Sequence, residues 1–233
     1  MKEIENKNPQ NGGNSGVEYD RNYENSPKSE KKGGFSWLKI VGILVAIAVI
    51  FGFIAVPTYN KLVKMDEDVN AAWAQVQNQY KRRADLIPNF VETVKGYASH
   101  ERETLEGVIN ARAKATSVNV DANTAPQTME ALQQFNEAQS GLNSALSRLM
   151  LVVERYPELK ANENFTQLQT QLEGTENRIS VARKDYIGVV QEYNKVIRVF
   201  PTNIIAKLVG MGGSKPVFTA SEAEQAAPQV SFK

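Results

Sequence analysis

The sequence predicts an all-α protein: an N-terminal transmembrane helix followed by an antiparallel bundle of three to four long helices. Three observations predict it. One uncharged stretch, Ile40 to Asn60, has Lys39 before it and Lys61 after it, and its apolar heart Ile40–Val56 is long enough to cross a bilayer. Downstream, apolar residues recur at 3-4 spacing over long segments, the period of an amphipathic helix. Proline- and asparagine-rich breaks separate those segments. This reading divides the chain into a disordered tail (1–34), a membrane anchor (35–57), a helical bundle (58–208) and a flexible C-terminal tail (209–233).

The tail 1–34 is rich in Asn, Gly, Ser and Lys with scattered apolar residues, too few to bury a core. The anchor reads as uncleaved. Its apolar run is longer than that of a signal peptide and ends Ala55-Val56-Pro57 without a small-residue cleavage pattern. Arg21, Lys28, Lys31, Lys32 and Lys39 lie upstream, against Lys61 and Lys64 just downstream. Positive charge stays on the cytoplasmic side, so the N-terminus is expected in the cytoplasm and the helical domain outside it, across the cytoplasmic (inner) membrane. Gly42/Ala46 and Ala48/Gly52 are small-residue pairs of the kind that let membrane helices approach closely.

Three apolar seams follow. The first is Leu62, Met65, Val69, Ala72, Val76, Tyr80, Ala84 and Ile87, interrupted by Pro88, after which Phe90, Val94, Tyr97, Leu105 and Val108 resume a helical pattern. Whether these two pieces make separate helices or one long kinked rod is open at this point. The second seam is Leu132, Phe135, Leu142, Leu146, Leu149 and Val153, broken in register by Gln139. The third runs from Phe165 to Phe200, with Pro201 expected to end its helix. Breaks fall at Val118–Pro126 and around Tyr156-Pro157 and Asn162–Asn164, short enough for antiparallel up-down packing. Asn203–Leu208 is expected to add a short helix, and Val217-Phe218 to dock from an otherwise loose tail. A helix from Tyr59 to Ile87 would measure ~45 Å and could hold a binding surface clear of the bilayer, with Trp73 and Val190, apolar residues off the seams, as exposed contact points.

Several residue groups resemble the LemA family of bacterial membrane proteins. They are Asp85-Leu86-Ile87-Pro88-Asn89, Val91 to Tyr97, His100-Glu101-Arg102, Ala111-Arg112-Ala113 and Arg155 to Ala161. Leu172 to Ile179, Ala182-Arg183, Asp185-Tyr186, Tyr193-Asn194 and Phe200-Pro201 complete the set, roughly between Pro57 and Phe218. Ile187, where an asparagine is usual, and Met211, where an aromatic is common, depart from the pattern. The resemblance implies an N-terminal anchor and a long antiparallel helical domain. It brings no agreed activity and no catalytic or binding residues. Genes of the family often lie beside those of membrane metallopeptidases, which implies an envelope protein, a membrane metallopeptidase among them, as partner.

Composition excludes more than it assigns. The first 56 residues hold 7 basic and 6 acidic side chains of the total 27 and 26, which leaves the rest balanced at 20 of each. A nucleic-acid reader carries a basic excess, so none is expected as partner. Cysteine is absent, which excludes disulfides, thiolate metal sites and cysteine nucleophiles. The single histidine, His100, has Thr104 where a zinc-binding helix would place its second histidine. No serine has a base to activate it, and Gly210-Met211-Gly212-Gly213 follows a helix instead of opening one, so it reads as a flexible terminus. No catalytic residue, metal site or cofactor is expected, and the chain reads as a non-enzyme. The charged residues Arg83, Asp85, Glu176 and Arg183 flank the seams and are expected to form interhelical pairs that fix bundle register, with Glu176 and Arg183, seven apart, on one face beside the apolar stripe. The function this supports is a membrane-anchored scaffold or interaction module of the cell envelope, bound to the bilayer through 35–57. A sensory or ligand-binding bundle is the alternative, and it would need a polar cavity between the seams.

Overall fold

A computed structural model describes residues 37–118 and 124–219. The expected tail 1–34, most of the Val118–Pro126 loop and the last residues of the chain lie outside them. The described residues hold six helices and no strand: α1 (Trp37–Tyr97), α2 (Arg102–Ser117), α3 (Met129–Val153), α4 (Pro157–Lys160), α5 (Glu163–Val196) and α6 (Thr202–Leu208). The chain divides into two bodies at Ile47/Ala48. The first contributes the opening turns of α1, with every side chain exposed. An 18-residue stretch of α1 reaches a mean hydropathy of 2.9 with none of it buried, so this helix is long and apolar enough to cross a membrane.

In the second body α1, α3 and α5 are the long rods, and α2 folds back along α1. Two apolar clusters are stacked along them. One joins Leu62 to Tyr80 of α1 with Leu132 and Phe135 of α3 and Ile179 to Tyr193 of α5. The other joins Ile87 to Val94 with Leu105 and Val108 of α2, Leu142 to Val153 of α3 and Phe165 of α5. So α3 runs parallel to α1, and α2 and α5 run antiparallel to it. Caps mark the starts the sequence indicates: Thr128 Oγ1 accepts the Ala131 amide, and Asn162 Oδ1 accepts the Phe165 amide.

The structure corrects several expectations. Pro88 does not break α1, which runs on to Tyr97. Proline removes the N–H that would satisfy the carbonyl four residues back. That carbonyl belongs to Ala84, and Arg112 Nε of α2 donates to it at 2.7 Å. The chain turns instead at Ala98–Glu101. A one-turn helix, α4, occupies part of the expected turn after Tyr156. The last long helix ends at Val196, before Pro201, and Phe200 of the expected seam is 75% exposed. Trp73 and Val190 are fully buried, where the sequence suggested exposed contact points. Trp73 packs edge-on against Phe135, with ring centroids 5.1 Å apart, and lies 5.4 Å from the Tyr186 ring.

The segment after α6 packs on the bundle as far as Phe218. Gly210, at φ +78°, closes α6, with the Met211 amide donating to Ala206 O at 2.8 Å and the Gly210 amide to Lys207 O at 3.3 Å. This is the paired arrangement that favours glycine just past a helix end. A Cβ on Gly212 would approach the Lys207 side chain to 2.9 Å, so the strap can lie this close to α6 only through glycine. Residues 211–219 then form a strap on the bundle, with Lys215 and Phe218 buried and Val217 partly so.

Candidate functional site

The most distinctive chemistry in the bundle is a polar layer between the two apolar clusters. Arg83 sits on the inward arc of α1, between Tyr80 and Ile87, and is 1% exposed. Its Nη1 donates to Glu176 Oε2 of α5 at 3.0 Å and to Asn143 Oδ1 of α3. Its Nη2 donates to Gln139 Oε1 of α3 at 2.6 Å. Gln139, itself buried, passes the connection on through Nε2 to Ala115 O at the end of α2, 3.2 Å away. One guanidinium thus reaches all four main helices of the bundle. Nε of Arg83 has no hydrogen-bond partner among the described residues. The Tyr80 ring lies 5.0 Å from the guanidinium carbon, within cation–π reach. Burial pushes the Tyr80 phenol above its ordinary pKa, opposed by the positive charge of Arg183 and Arg83.

The four charged residues singled out from the sequence part company here. Arg83 and Glu176 meet as an ion pair across α1 and α5, Arg83 almost wholly buried and Glu176 with 48% of its side chain exposed. Arg183 instead lies over the Phe218 ring of the strap, 4.3 Å from guanidinium carbon to centroid. Asp85 forms no ion pair among the described residues and lines an open groove. Gln139 and Asn143, which complete the site, were missed as site residues. The signal for one was present, since Gln139 is the single polar interruption of the α3 seam.

A second polar cluster fastens the strap. Asn194 clasps the Lys215 backbone from both sides, its Oδ1 accepting the amide and its Nδ2 donating to the carbonyl, each at 2.8 Å. Tyr193 Oη donates to Met211 O at 2.9 Å and Tyr186 Oη to Pro216 O at 3.1 Å. Lys215 Nζ is 2.7 Å from Asp66 Oδ1 of α1, with only 5% of the lysine side chain exposed. Burial raises the pKa of both tyrosines.

His100 is exposed in the turn between α1 and α2. Its neighbour Glu101 pairs with Arg155 at 2.9 Å and accepts from Tyr156 Oη at 3.3 Å, tying that turn to the end of α3. Among the described residues no three His, Asp or Glu side chains gather as metal ligands. The hollows of the bundle are open grooves. One of about 430 Å³ is lined by Tyr80, Lys81, Asp85, Thr116, Phe135 and Gln139, and one of about 370 Å³ lies beside Asn143, Leu172 and Glu176.

Several of the residue groups quoted from the sequence meet in this arrangement: Arg112 on the Ala84 carbonyl that Pro88 leaves free, Glu101 on Arg155-Tyr156, Glu176 on Arg83, and Tyr193-Asn194 on the strap. Residues 72–232 match the model of the LemA family. The chain belongs to the LemA family. It is similar to Protein LemA of Metamycoplasma hominis, 26% identical over 204 residues that cover 88% of each chain. It is also similar to Magnetosome protein MamQ 1 of Paramagnetospirillum magneticum, 26% identical over 206 residues, 80% of this chain and 74% of the relative. Magnetosome protein MamQ of Magnetospirillum gryphiswaldense is 24% identical over the same lengths. This LemA-family chain is a membrane-associated helical protein.

Proposed function

We propose that the protein is a non-enzymatic scaffold of the cell envelope, anchored through α1 and engaging another envelope protein through the sides of its bundle. The observation that carries this reading is the polar layer. Arg83, through both terminal nitrogens, and its partners on α3 and α5 fill the centre of the bundle, so the interior serves to hold four helices in register. Function then falls to the outer faces, where Val181 of α5 (60% exposed) borders a groove with Gln75, Gln79 and Arg178. Relatives named for LemA and for the magnetosome span most of the chain, which supports one architecture put to different cellular uses. The basic flank before the anchor favours an extracytoplasmic bundle and a cytoplasmic N-terminus. A membrane metallopeptidase is one partner class the family's gene neighbourhoods favour.

A photo-crosslinking residue at Val181 in intact cells tests the scaffold. A discrete envelope-protein adduct, absent when the crosslinker replaces buried Val190, is the expected result; no adduct at Val181 or other exposed bundle positions overturns it. Protease added after permeabilising the outer barrier should digest the region beyond Lys61, and its protection until the membrane is lysed would place the bundle in the cytoplasm. The ligand-binding alternative rests on the groove beside Gln139 and Tyr80, whose mixed lining is of the kind small molecules use. Co-purification of a small molecule lost on Phe135→Ala would favour it.

A further inference from the structure

We infer that the protein has a second membrane contact: the face made by the end of α5 and by α6 rests on the bilayer surface beside the anchor. Val199, Phe200, Ile204, Leu208 and Val209 are between 39% and 75% exposed, five apolar side chains within eleven residues. In α6 the division is sharp. Ile205 and Ala206 face the core, while Ile204 and Leu208, four apart and so on one face, point away from it.

Its level along α1 identifies what covers this patch. Glu176 meets Arg83, and Lys215 ties Asn194 to Asp66, so the antiparallel register of α1 and α5 brings Ile197, just before the patch, level with Leu62. Leu62 follows the last residue of the apolar stretch, Val56, by six positions, about 9 Å along a helix. The patch therefore lies at the level where α1 leaves the hydrocarbon layer, about the depth over which interfacial helices bury their apolar faces. Charge agrees. Lys61, Lys64 and Lys207 are exposed at this end without an ion pair among the described residues, placed to meet anionic headgroups while the apolar side chains sink beneath them. Two contacts fix the bundle's tilt where a single helix would leave it free. The inference rests on reading α1 as the anchor.

The chain has no cysteine, so single labels are simple to place. Full-length protein carrying Ile204→Cys, Leu208→Cys, Ile50→Cys or Leu151→Cys would be labelled with an environment-sensitive fluorophore. Each is reconstituted at one chain per nanodisc in mixed phosphatidylcholine and phosphatidylglycerol bearing nitroxide lipids. The labels at Ile204 and Leu208 should lose most of their fluorescence to the lipid quencher and shift to the blue. The label at Leu151, exposed at the opposite end of α3, should keep its own. If the label at Ile50 is quenched while those at Ile204 and Leu208 match Leu151, the second contact is wrong and the anchor stands. If Ile50 is not quenched, the anchor reading falls and this inference with it. Shielding of Ile204 and Leu208 only in discs with several chains would assign the patch to a second copy and overturn the lipid contact.

Discussion

Arg83 carries a positive charge into a layer bounded above and below by apolar side chains. Burying an ion costs several kcal/mol, and that cost is offset only when geometry and accompanying hydrogen bonds are good. Here three side-chain acceptors from two other helices surround the guanidinium. A one-residue slip of α3 or α5 would remove Gln139, Asn143 or Glu176 from reach and leave the charge unpartnered, so the layer penalises every wrong register. The partner assignment is testable. In urea unfolding of the full chain in micelles, a double-mutant cycle of Arg83→Met and Glu176→Gln should give a coupling of about 1–2 kcal/mol, the range for residues in direct contact. The same cycle for Glu176→Gln and Arg183→Met should give less than about 0.5 kcal/mol, because Arg183 lies on Phe218. Equal couplings would return Glu176 to the partner the spacing suggested. One anomaly of this layer was legible in the sequence, the amide inside the α3 seam, whereas Arg83 read as a charge flanking its seam. The pairing of the two was not legible, since spacing along α5 says which residues share a face and nothing about which neighbour that face meets.

At the scale of elements, α1 shows how a tertiary contact overrides a local rule. Pro88 leaves the Ala84 carbonyl without its helical donor, in a residue that is 4% exposed, and Arg112 supplies the missing N–H from α2. Arg112→Ala should therefore cost about 1–3 kcal/mol, the penalty for an unsatisfied buried carbonyl. In a Pro88→Ala background the restored amide refills that carbonyl, and most of the cost should vanish. Thermal unfolding of the two single variants and the double variant decides it; additive losses would mean that Arg112 acts through packing alone. A sequence reader sees the proline but cannot see the arginine 24 positions on that neutralises it. The misplaced exposure of Trp73 and Val190 has a similar origin. A strict 3-4 row describes a helix with one neighbour, whereas α1 and α5 touch other helices and the strap, and their buried arc widens beyond the row. Helix existence and the three seams depended on local pattern and were legible for that reason.

For the molecule as a whole, the polar layer and the strap divide the bundle into two halves that should lose stability separately. The strap belongs to the Leu62–Tyr80 half alone: Phe218 covers Trp73 and Tyr186, and Tyr186, Tyr193 and Asn194 bond its backbone. Lys215 closes on Asp66 of the same half. A chain ending after Gly210 loses every one of these contacts, while a chain ending after Thr219 keeps them and controls for the rest of the terminus. In the shorter chain, four donors or acceptors on α5 and the carboxylate of Asp66 lose their partners, and two aromatic faces open to water. Amide exchange should then speed up by at least about tenfold over 62–80 and 186–197, since a loss of about 1.4 kcal/mol or more of local stability is felt there directly. It should change little over 87–98 and 142–153, which the Arg83 layer separates from the damage. Trp73 emission should shift to the red in a Trp37→Phe background, which leaves it the sole indole. A uniform rise in exchange across both halves would show that the bundle opens as one unit and that the polar layer is no boundary. A rise confined to the strap-bearing half would make residues 211–219 the part of the molecule through which its stability can be altered without disturbing the register set by Arg83.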